Sequence, residues 1–325
     1  MDPFAPGSDG LLRRTDFVRA GRNDRALRRA ADRGALVGLV PGVFIAADTW
    51  HAAGAGERHL LRAAAVADRL GPLAVFSHAT ASAAHGWSHL SPWPEVPDVT
   101  DPTVRRSRTG STMRTHAFPL AGTDVDALDG LPVTAAGRTA VDLAASLPFR
   151  DAVVSLDSAL APAGPAVAGR QRARKTVLTL EAFDLALERR LPVRGHNHVA
   201  RVRAFADGCS GSVGESLSRV VMQERGWPPP ILQEPFVDAS GTIGRVDFWW
   251  PEFGVIGEFD GAVKYSRAEY LGGMTPAQAA VREKRREDRL RAHPRVRGFA
   301  RWMWDDIHNT ERFARVLAAA GLPVR

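Results

Sequence analysis

The sequence is poor in cysteine and lacks long apolar runs. Cys209 is the single cysteine among 325 residues, which excludes an intramolecular disulfide framework and a zinc site built from clustered cysteines. No run of about 18 apolar residues occurs, so we expect no transmembrane helix. The first residues lack the basic-then-apolar pattern of a secretory signal. We therefore expect a cytoplasmic protein with no membrane partner.

Lysine is also scarce, although the chain is basic overall. Lysine and arginine total 43 against 36 acidic residues, a net charge of +7, and all but three of the basic residues are arginines. The chain is 45% hydrophobic and 24% charged, which is typical of globular domains and argues against a long disordered or fibrous protein. Its length suits two or three domains. The positive balance is compatible with a polyanionic partner such as nucleic acid.

The first segment, residues 8–46, combines two short helices with a β-hairpin. Thr15 can cap a short helix, Asn23 can cap an arginine-rich helix that stops at Gly34, and Pro41-Gly42 can turn two short strands. This order is typical of a winged helix-turn-helix. Four arginines of the second helix are candidate contacts to DNA phosphates or base edges: Arg25, Arg28, Arg29 and Arg33. The alternative is a small α/β cap whose arginines are merely solvated.

The middle region, residues 47–205, carries no catalytic signature. Two stretches in it, 77–86 (SHATASAAHG) and 138–142 (RTAVD), together with the first segment, resemble bacterial AbiEi-type proteins. Those are the transcriptional-regulator antitoxins of abortive-infection systems. The resemblance extends over about residues 8–150. It implies an N-terminal winged helix, DNA binding, often with autoregulation, and a toxin or antitoxin protein as a candidate partner.

A β-hairpin is predicted where two apolar runs, 244–250 and 255–261, flank a four-residue turn with proline and glycine. If Trp250 pairs with Val255, Asp247 lies opposite Glu258. Because side chains alternate along a strand, the polar residues of the hairpin then share one face. These residues are Arg245, Asp247, Glu258 and Asp260. A bulge would change this register.

Two carboxylates directly across a ladder repel each other. At the usual ~5 Å separation the repulsion is a few kcal/mol at an intermediate effective dielectric. A hard divalent cation removes it, and Mg²⁺ or Mn²⁺ suits carboxylates together with waters and phosphate oxygens. Asp247 and Glu258 are therefore candidate metal ligands for phosphodiester hydrolysis. The alternative is that Glu258 turns outward or is partly protonated, while Asp260 pairs with Arg245.

Further candidate residues lie on both sides of the hairpin. Glu215, early in a predicted helix over 214–225, could reach the metal or pair with Arg219. Lys264 could steady the nucleophilic water or the developing phosphorane charge, or be a solvated lysine. The helix that begins after Thr275 is strongly basic. Its candidate contacts to the DNA backbone, unless it is simply a solvated face, are Lys284, Arg285, Arg286 and Arg289.

The order of these elements resembles the PD-(D/E)xK restriction-endonuclease-like superfamily, particularly its branch related to very-short-patch-repair endonucleases. The resemblance extends over about residues 207–308. The matching pieces are Gly214-Glu215, Gln233, 245–248 (RVDF), 258–261 (EFDG) and 283–290 (EKRREDRL). The resemblance implies that Asp247 and Glu258 ligate a metal ion with Glu215 assisting. Asp260 stands where the superfamily has a lysine, so Lys264 is a displaced equivalent or the lysine function is lost.

The sequence thus predicts an α/β multidomain protein. Its parts are a winged helix-turn-helix (8–46), an AbiEi-like α+β middle region (47–205) and a restriction-endonuclease-like α/β sandwich (206–325).

The predicted function is metal-dependent cleavage of DNA in phage defence, toxin–antitoxin control or repair, with Mg²⁺ or Mn²⁺ as cofactor. The candidate catalytic residues are Asp247, Glu258, Lys264, Glu215 and Asp260. The alternative is a non-catalytic, DNA-binding transcriptional regulator with a degenerate nuclease domain. A third possibility is a protein that docks only to a toxin or antitoxin.

Overall fold

A computed structural model describes residues 7, 9–21, 23–162, 176–193, 195–261 and 275–324. Within these ranges the chain forms thirteen α-helices and three β-sheets, so the predicted α/β class is confirmed at this level. The chain divides into two units. Unit one is Met1–Leu147 with Arg172–Ala200, and unit two is Pro148–Gln171 with Arg201–Arg325.

Unit one begins with a three-stranded antiparallel sheet of order β1-β3-β2 and two helices. The elements are β1 (Leu12–Arg13), α1 (Arg14–Arg19), α2 (Asp24–Asp32), β2 (Leu36–Val40) and β3 (Val43–Ala46). The side chain of Asn23 accepts a hydrogen bond from the Arg25 backbone N–H at 2.9 Å, which confirms the predicted cap of α2. Leu27 of α2 is buried in a small apolar core with Phe17 and Leu36. The predicted hairpin around Pro41-Gly42 is also confirmed.

The rest of unit one is built around a six-stranded mixed sheet of order β6-β7-β5-β4-β9-β8. Its strands are β4 (Val75–Phe76), β5 (Asp98–Thr100), β6 (Arg108–Thr109), β7 (Arg114–His116), β8 (Val125–Leu128) and β9 (Leu131–Thr134). Its helices are α3 (Ala47–Ala52), α4 (Ala55–Val66), α5 (His78–Ala84), α6 (Ala136–Ser146) and α8 (Leu180–Arg190). Small residues let α5 approach the sheet closely, and Ala81 is fully buried beside Phe76.

Unit two is organised around a four-stranded sheet of order β10-β11-β12-β13. The strands are β10 (Ile231–Asp238), β11 (Gly241–Trp250), β12 (Val255–Phe259) and β13 (Gly298–Trp302). The first three run antiparallel and β13 is parallel to β12. The helices are α7 (Phe149–Leu160), α10 (Val213–Glu224), α11 (Pro276–Arg291), α12 (Trp304–His308) and α13 (Thr310–Ala319). Helix α9 (His196–Phe205) begins in unit one and ends in unit two.

Helix α7 lies in the predicted middle region by sequence but belongs to unit two by its contacts. The reason is a buried ion pair in which Arg219 Nη1 of α10 donates to Asp157 Oδ2 of α7 at 2.8 Å. Asp157 is fully buried and also accepts from the Asp207 backbone N–H at 2.7 Å. Arg219, which the sequence offered as an alternative helix partner of Glu215, therefore pairs with Asp157.

Candidate functional site

The site is built on the hairpin of β11 and β12. Trp250 pairs with Val255 and Phe248 pairs with Gly257, so the predicted register is confirmed. The same register, continued by one residue, places Asp247 opposite Glu258. Glu258 is buried and Asp247 is partly exposed. The two carboxylates are therefore neighbours at the end of the paired segment.

Gln233 of β10 connects Asp247 to Glu215. Its Nε2 donates to Glu215 Oε2 at 3.2 Å and to Asp247 Oδ1 at 3.3 Å. Gln233 lies between two residues of β10 that pair with the residues flanking Asp247. Its φ of +52° marks a local irregularity of the strand, a conformation that non-glycine residues adopt at a free-energy cost. One amide nitrogen thus brings carboxylates from α10 and β11 together.

Both acids also accept hydrogen bonds from other donors. Asp247 Oδ2 accepts from the Phe259 backbone N–H at 3.0 Å. Glu215 accepts from the Gly211 backbone N–H at 2.8 Å and from Ser212 Oγ at 2.9 Å. Glu215 is only 4% exposed. These hydrogen bonds help to fix the orientation of both carboxylates.

Glu258 is held by two arginines instead. Arg286 of α11 donates to Glu258 Oε1, with Nη1 at 2.8 Å, and Arg301 Nη2 of β13 donates to Glu258 Oε2 at 3.0 Å. Burial raises the pKa of Glu258 above its ordinary value, Arg286 and Arg301 oppose that rise, and Asp247 adds to it. The electrostatic influence of Asp247 on Glu258 agrees with their closeness in the hairpin.

The other predicted residues of the hairpin, Asp260 and Arg245, contact different parts of the sheet. The Asp260 backbone N–H donates to the Trp302 carbonyl at 2.8 Å, which continues the parallel pairing of β12 with β13. Arg245 Nη1 donates to the Gln233 carbonyl at 2.8 Å. Among the described residues Arg245 forms no ion pair with Asp260. Lys264 lies outside the described residues.

The predicted DNA-backbone contacts on α11 divide into two groups. Lys284 and Arg285 are exposed. Arg286 donates to Glu258. Arg289 donates to Asp238 from Nε to Oδ2 at 2.9 Å and from Nη2 to Oδ1 at 2.7 Å. Two of the four predicted contacts are therefore engaged in ion pairs within unit two, and two face solvent.

The predicted contacts on α2 all face solvent. Arg25, Arg28, Arg29 and Arg33 are exposed. Arg28 lies 3.8 Å from Asp24, while the other three have no ion-pair partner within the described ranges. The arginines therefore form an open basic surface on the side of α2 opposite Leu27.

Asp247, Glu215 and Glu258 would offer carboxylate oxygens, the donors that suit a hard divalent cation. In the portion of the chain that the structure describes, however, no group of three or more His, Cys, Asp or Glu side chains is already arranged to hold a metal ion. The two arginines that pair with Glu258 explain why the three carboxylates do not form such a group. Asp247 and Glu215 face the shared amide of Gln233, whereas Glu258 is directed to Arg286 and Arg301.

The roles of Gln233 and Arg301 are not predicted from the sequence. Gln233 was part of the motif that resembles the endonuclease superfamily, and this was the signal available for it. Arg301 lies in a stretch that reads as a strand, and its pairing with Glu258 across parallel strands has no local signature.

Unit one contains a separate buried polar cluster. The rings of His78 and His116 stack at 3.8 Å, and His116 Nε2 lies 2.9 Å from Asp98 Oδ1. Arg138, which is 2% exposed, forms ion pairs with Asp124 and Asp142 at 3.1 and 2.8 Å. The stretches 77–86 and 138–142 therefore supply buried polar residues of unit one.

Comparisons with known proteins give relatives without an assigned activity. No family model matches the chain. It is 30% identical over 160 residues to two Mycobacterium tuberculosis proteins, "Uncharacterized protein MT2308" of strain CDC 1551 / Oshkosh and "Uncharacterized protein Rv2248" of strain ATCC 25618 / H37Rv, covering 49% of this chain and 53% of each relative. The chain thus matches about half the length of these curated relatives.

A solved structure, the Rv2827c protein from Mycobacterium tuberculosis, aligns with 70% of this chain and 83% of its own at 15% identity and a TM-score of 0.36. In the described ranges, no helix combines the length and the apolar character needed to cross a bilayer.

Proposed function

We propose that unit two is a metal-dependent DNA endonuclease domain and that unit one contributes a DNA-binding module. The observation that carries the proposal is the Gln233 amide nitrogen, which contacts both Glu215 and Asp247 beside the position of Glu258. Holding acidic side chains from α10 and β11 together, next to the strand that carries Glu258, is costly unless their charges are used. Hydrolysis of a phosphodiester with a divalent cation is the reaction that uses such a group.

Each residue has a separate role in this proposal. Asp247 and Glu215 would hold Mg²⁺ or Mn²⁺, and Glu258 would join them when its carboxylate leaves the arginines. The bound ion would polarise a phosphate oxygen and lower the pKa of a water molecule. Gln233 orients the two acids. Arg286 and Arg301 place positive charge beside the acids, where it can receive a phosphate.

The basic surfaces would hold the DNA. In unit one the order of helix, arginine-rich helix and hairpin supports a winged helix in which Arg25, Arg28, Arg29 and Arg33 contact DNA. In unit two the exposed Lys284 and Arg285 would contact the phosphate backbone. Lys264 remains a candidate for steadying the nucleophilic water, and Asp260 for assisting Asp247 and Glu258.

The test is a cleavage assay on duplex and single-stranded DNA with Mg²⁺ or Mn²⁺. The wild type should cut, and Asp247→Asn should lose at least about 100-fold in rate, because loss of even outer-sphere support at metal sites costs 10–100-fold. The matched control is Glu252→Gln, an exposed acid in the turn of the same hairpin, which should cut normally. Equal rates for the wild type and Asp247→Asn, with both folded, would overturn the assignment.

A second function, a non-catalytic transcriptional regulator, is favoured by two observations. Both oxygens of Glu258 are occupied by arginines, and Asp260 occupies the position of the superfamily lysine. A regulator predicts operator binding without cleavage in any metal. Replacing Arg28 and Arg29 by alanine should then weaken DNA binding and reduce the salt slope by about one unit per lost phosphate contact. Salt-insensitive binding to a partner protein, with none to DNA, would instead indicate a docking protein.

A further inference from the structure

The ion pairs of Glu258 belong to a larger network with alternative partners. Arg301 Nη2, besides contacting Glu258, lies 3.1 Å from Glu287 Oε2 and 3.5 Å from Glu283 Oε1. Arg286 Nε lies 3.7 Å from Glu283 Oε2. Both arginines are therefore shared between the buried Glu258 and the more exposed acids of α11.

Because the two arginines also lie near Glu283 and Glu287, their ion pairs with Glu258 can be exchanged for contacts with another anion. If either guanidinium turned towards an incoming anion, Glu283 and Glu287 would still neutralise part of the positive charge of that guanidinium. Both arginines keep solvent access, with side chains 25% and 32% exposed, whereas the Glu258 side chain is 9% exposed. An anion can reach the arginines from solvent, and a phosphate accepts the same paired N–H donors as a carboxylate.

We propose that Arg286 and Arg301 form an ion-pair latch that couples DNA binding to metal binding, an inference that rests on the proposed function. Without DNA the two guanidiniums hold Glu258 and compete with a divalent cation for its oxygens. When DNA phosphates engage the arginines, Glu258 is released to complete the acidic group with Asp247 and Glu215. Because such coupling is reciprocal, each ligand strengthens binding of the other by the same factor.

The measurement is Mn²⁺ binding to the full chain by electron paramagnetic resonance at fixed pH, with and without a short phosphorothioate duplex. In the wild type the duplex should tighten Mn²⁺ binding about 10-fold, within the usual range of coupling between sites. The double variant Arg286→Gln/Arg301→Gln should bind Mn²⁺ more tightly than the wild type without DNA and gain little from the duplex. Adding Glu258→Gln to the double variant should remove the gained affinity.

Arg295→Gln is the matched control, since Arg295 is also an arginine paired with a glutamate of unit two, Glu234, at 3.0 Å. It should leave Mn²⁺ binding unchanged. Where the double variant does not fold, as judged by circular dichroism, the single variants Arg286→Gln and Arg301→Gln decide, because each leaves one guanidinium on Glu258. Each should show part of the gain in Mn²⁺ affinity.

Two results would overturn the latch: Mn²⁺ affinity that is unchanged or reduced in the folded arginine variants, or no Mn²⁺ binding in any protein of the series. The latch and the endonuclease fail separately. Coupled Mn²⁺ and DNA binding without cleavage of an ordinary phosphodiester duplex would support the latch and refute the endonuclease. Cleavage of DNA without coupled Mn²⁺ and DNA binding would support the endonuclease and refute the latch.

Discussion

The contact between Gly214 and Phe259 supports a prediction about how α10 is held against β12 beside the site. A Cβ atom at Gly214 would lie 2.0 Å from Phe259 Cε1 and 2.3 Å from Phe259 Cζ, far inside the ordinary 3.5–4.0 Å contact distance between carbon atoms. Phe259 is 3% exposed, and its ring meets the edge of Trp304 at 5.1 Å. The ring therefore has little room to move.

Gly214→Ala should cost about 3 kcal/mol of unfolding free energy, the upper end for an added methyl group in a packed core. For a unit of this size that corresponds to a fall in melting temperature of roughly 6–12 °C. The effect should extend to the site, because the Phe259 backbone N–H donates to Asp247 and Glu215 follows Gly214 directly. Calorimetry and urea titration of unit two's transition measure the loss.

A control variant and a double-mutant cycle test the close packing of Gly214 against Phe259. Gly122→Ala, at a position with nothing within 4 Å of the added Cβ, should change stability by less than about 0.5 kcal/mol. Phe259→Leu in the Gly214→Ala background should recover part of the loss, giving a coupling energy of about 1–3 kcal/mol in a double-mutant cycle. A loss below about 0.5 kcal/mol for Gly214→Ala, or additive effects in the cycle, would show that α10 and β12 do not pack this closely.

Two further predictions concern buried charges. Burial, followed by the influence of His116, lowers the pKa of His78 from 6.5 to about 3. Between pH 6.5 and about pH 3 the unfolded chain therefore binds a proton at His78 that the folded chain does not bind. The free energy of unfolding should fall with decreasing pH in this range, by at most about 1.4 kcal/mol per pH unit. Urea titrations from pH 7.5 to 5.5 should show this fall, His78→Asn should reduce it, and identical profiles would contradict it. Asp157→Ala should cost about 3–5 kcal/mol because it leaves Arg219 buried without its partner. The exposed Asp16→Ala should cost less than about 0.5 kcal/mol, and a similarly small loss for Asp157→Ala would contradict the buried pair.

Local sequence patterns predicted one register and one of the two helix caps of the first segment, whereas Thr15, the other predicted cap, lies inside α1, which begins at Arg14. A four-residue turn between alternating runs fixes how a hairpin pairs, so the Trp250–Val255 pairing followed from the sequence. A cap acts within three residues, and Asn23 was predicted for the same reason. The partners of Glu258 could not be predicted in this way. Arg286 and Arg301 lie 28 and 43 residues away in sequence, and no periodicity encodes which distant cation meets a buried acid.

Two facing carboxylates in a hairpin need a neutralising positive charge, and a cation from solvent is one of two sources. The chain supplies the other source through Arg286 and Arg301. Guanidiniums neutralise Glu258 in the absence of any ligand, which keeps a buried carboxylate charge tolerable in the folded protein. A cleavage site also needs positive charge to receive the phosphate. Under the proposed function the same two arginines would meet both needs only in turn, so the order of DNA and metal binding would be the property that separates a nuclease from a non-catalytic regulator.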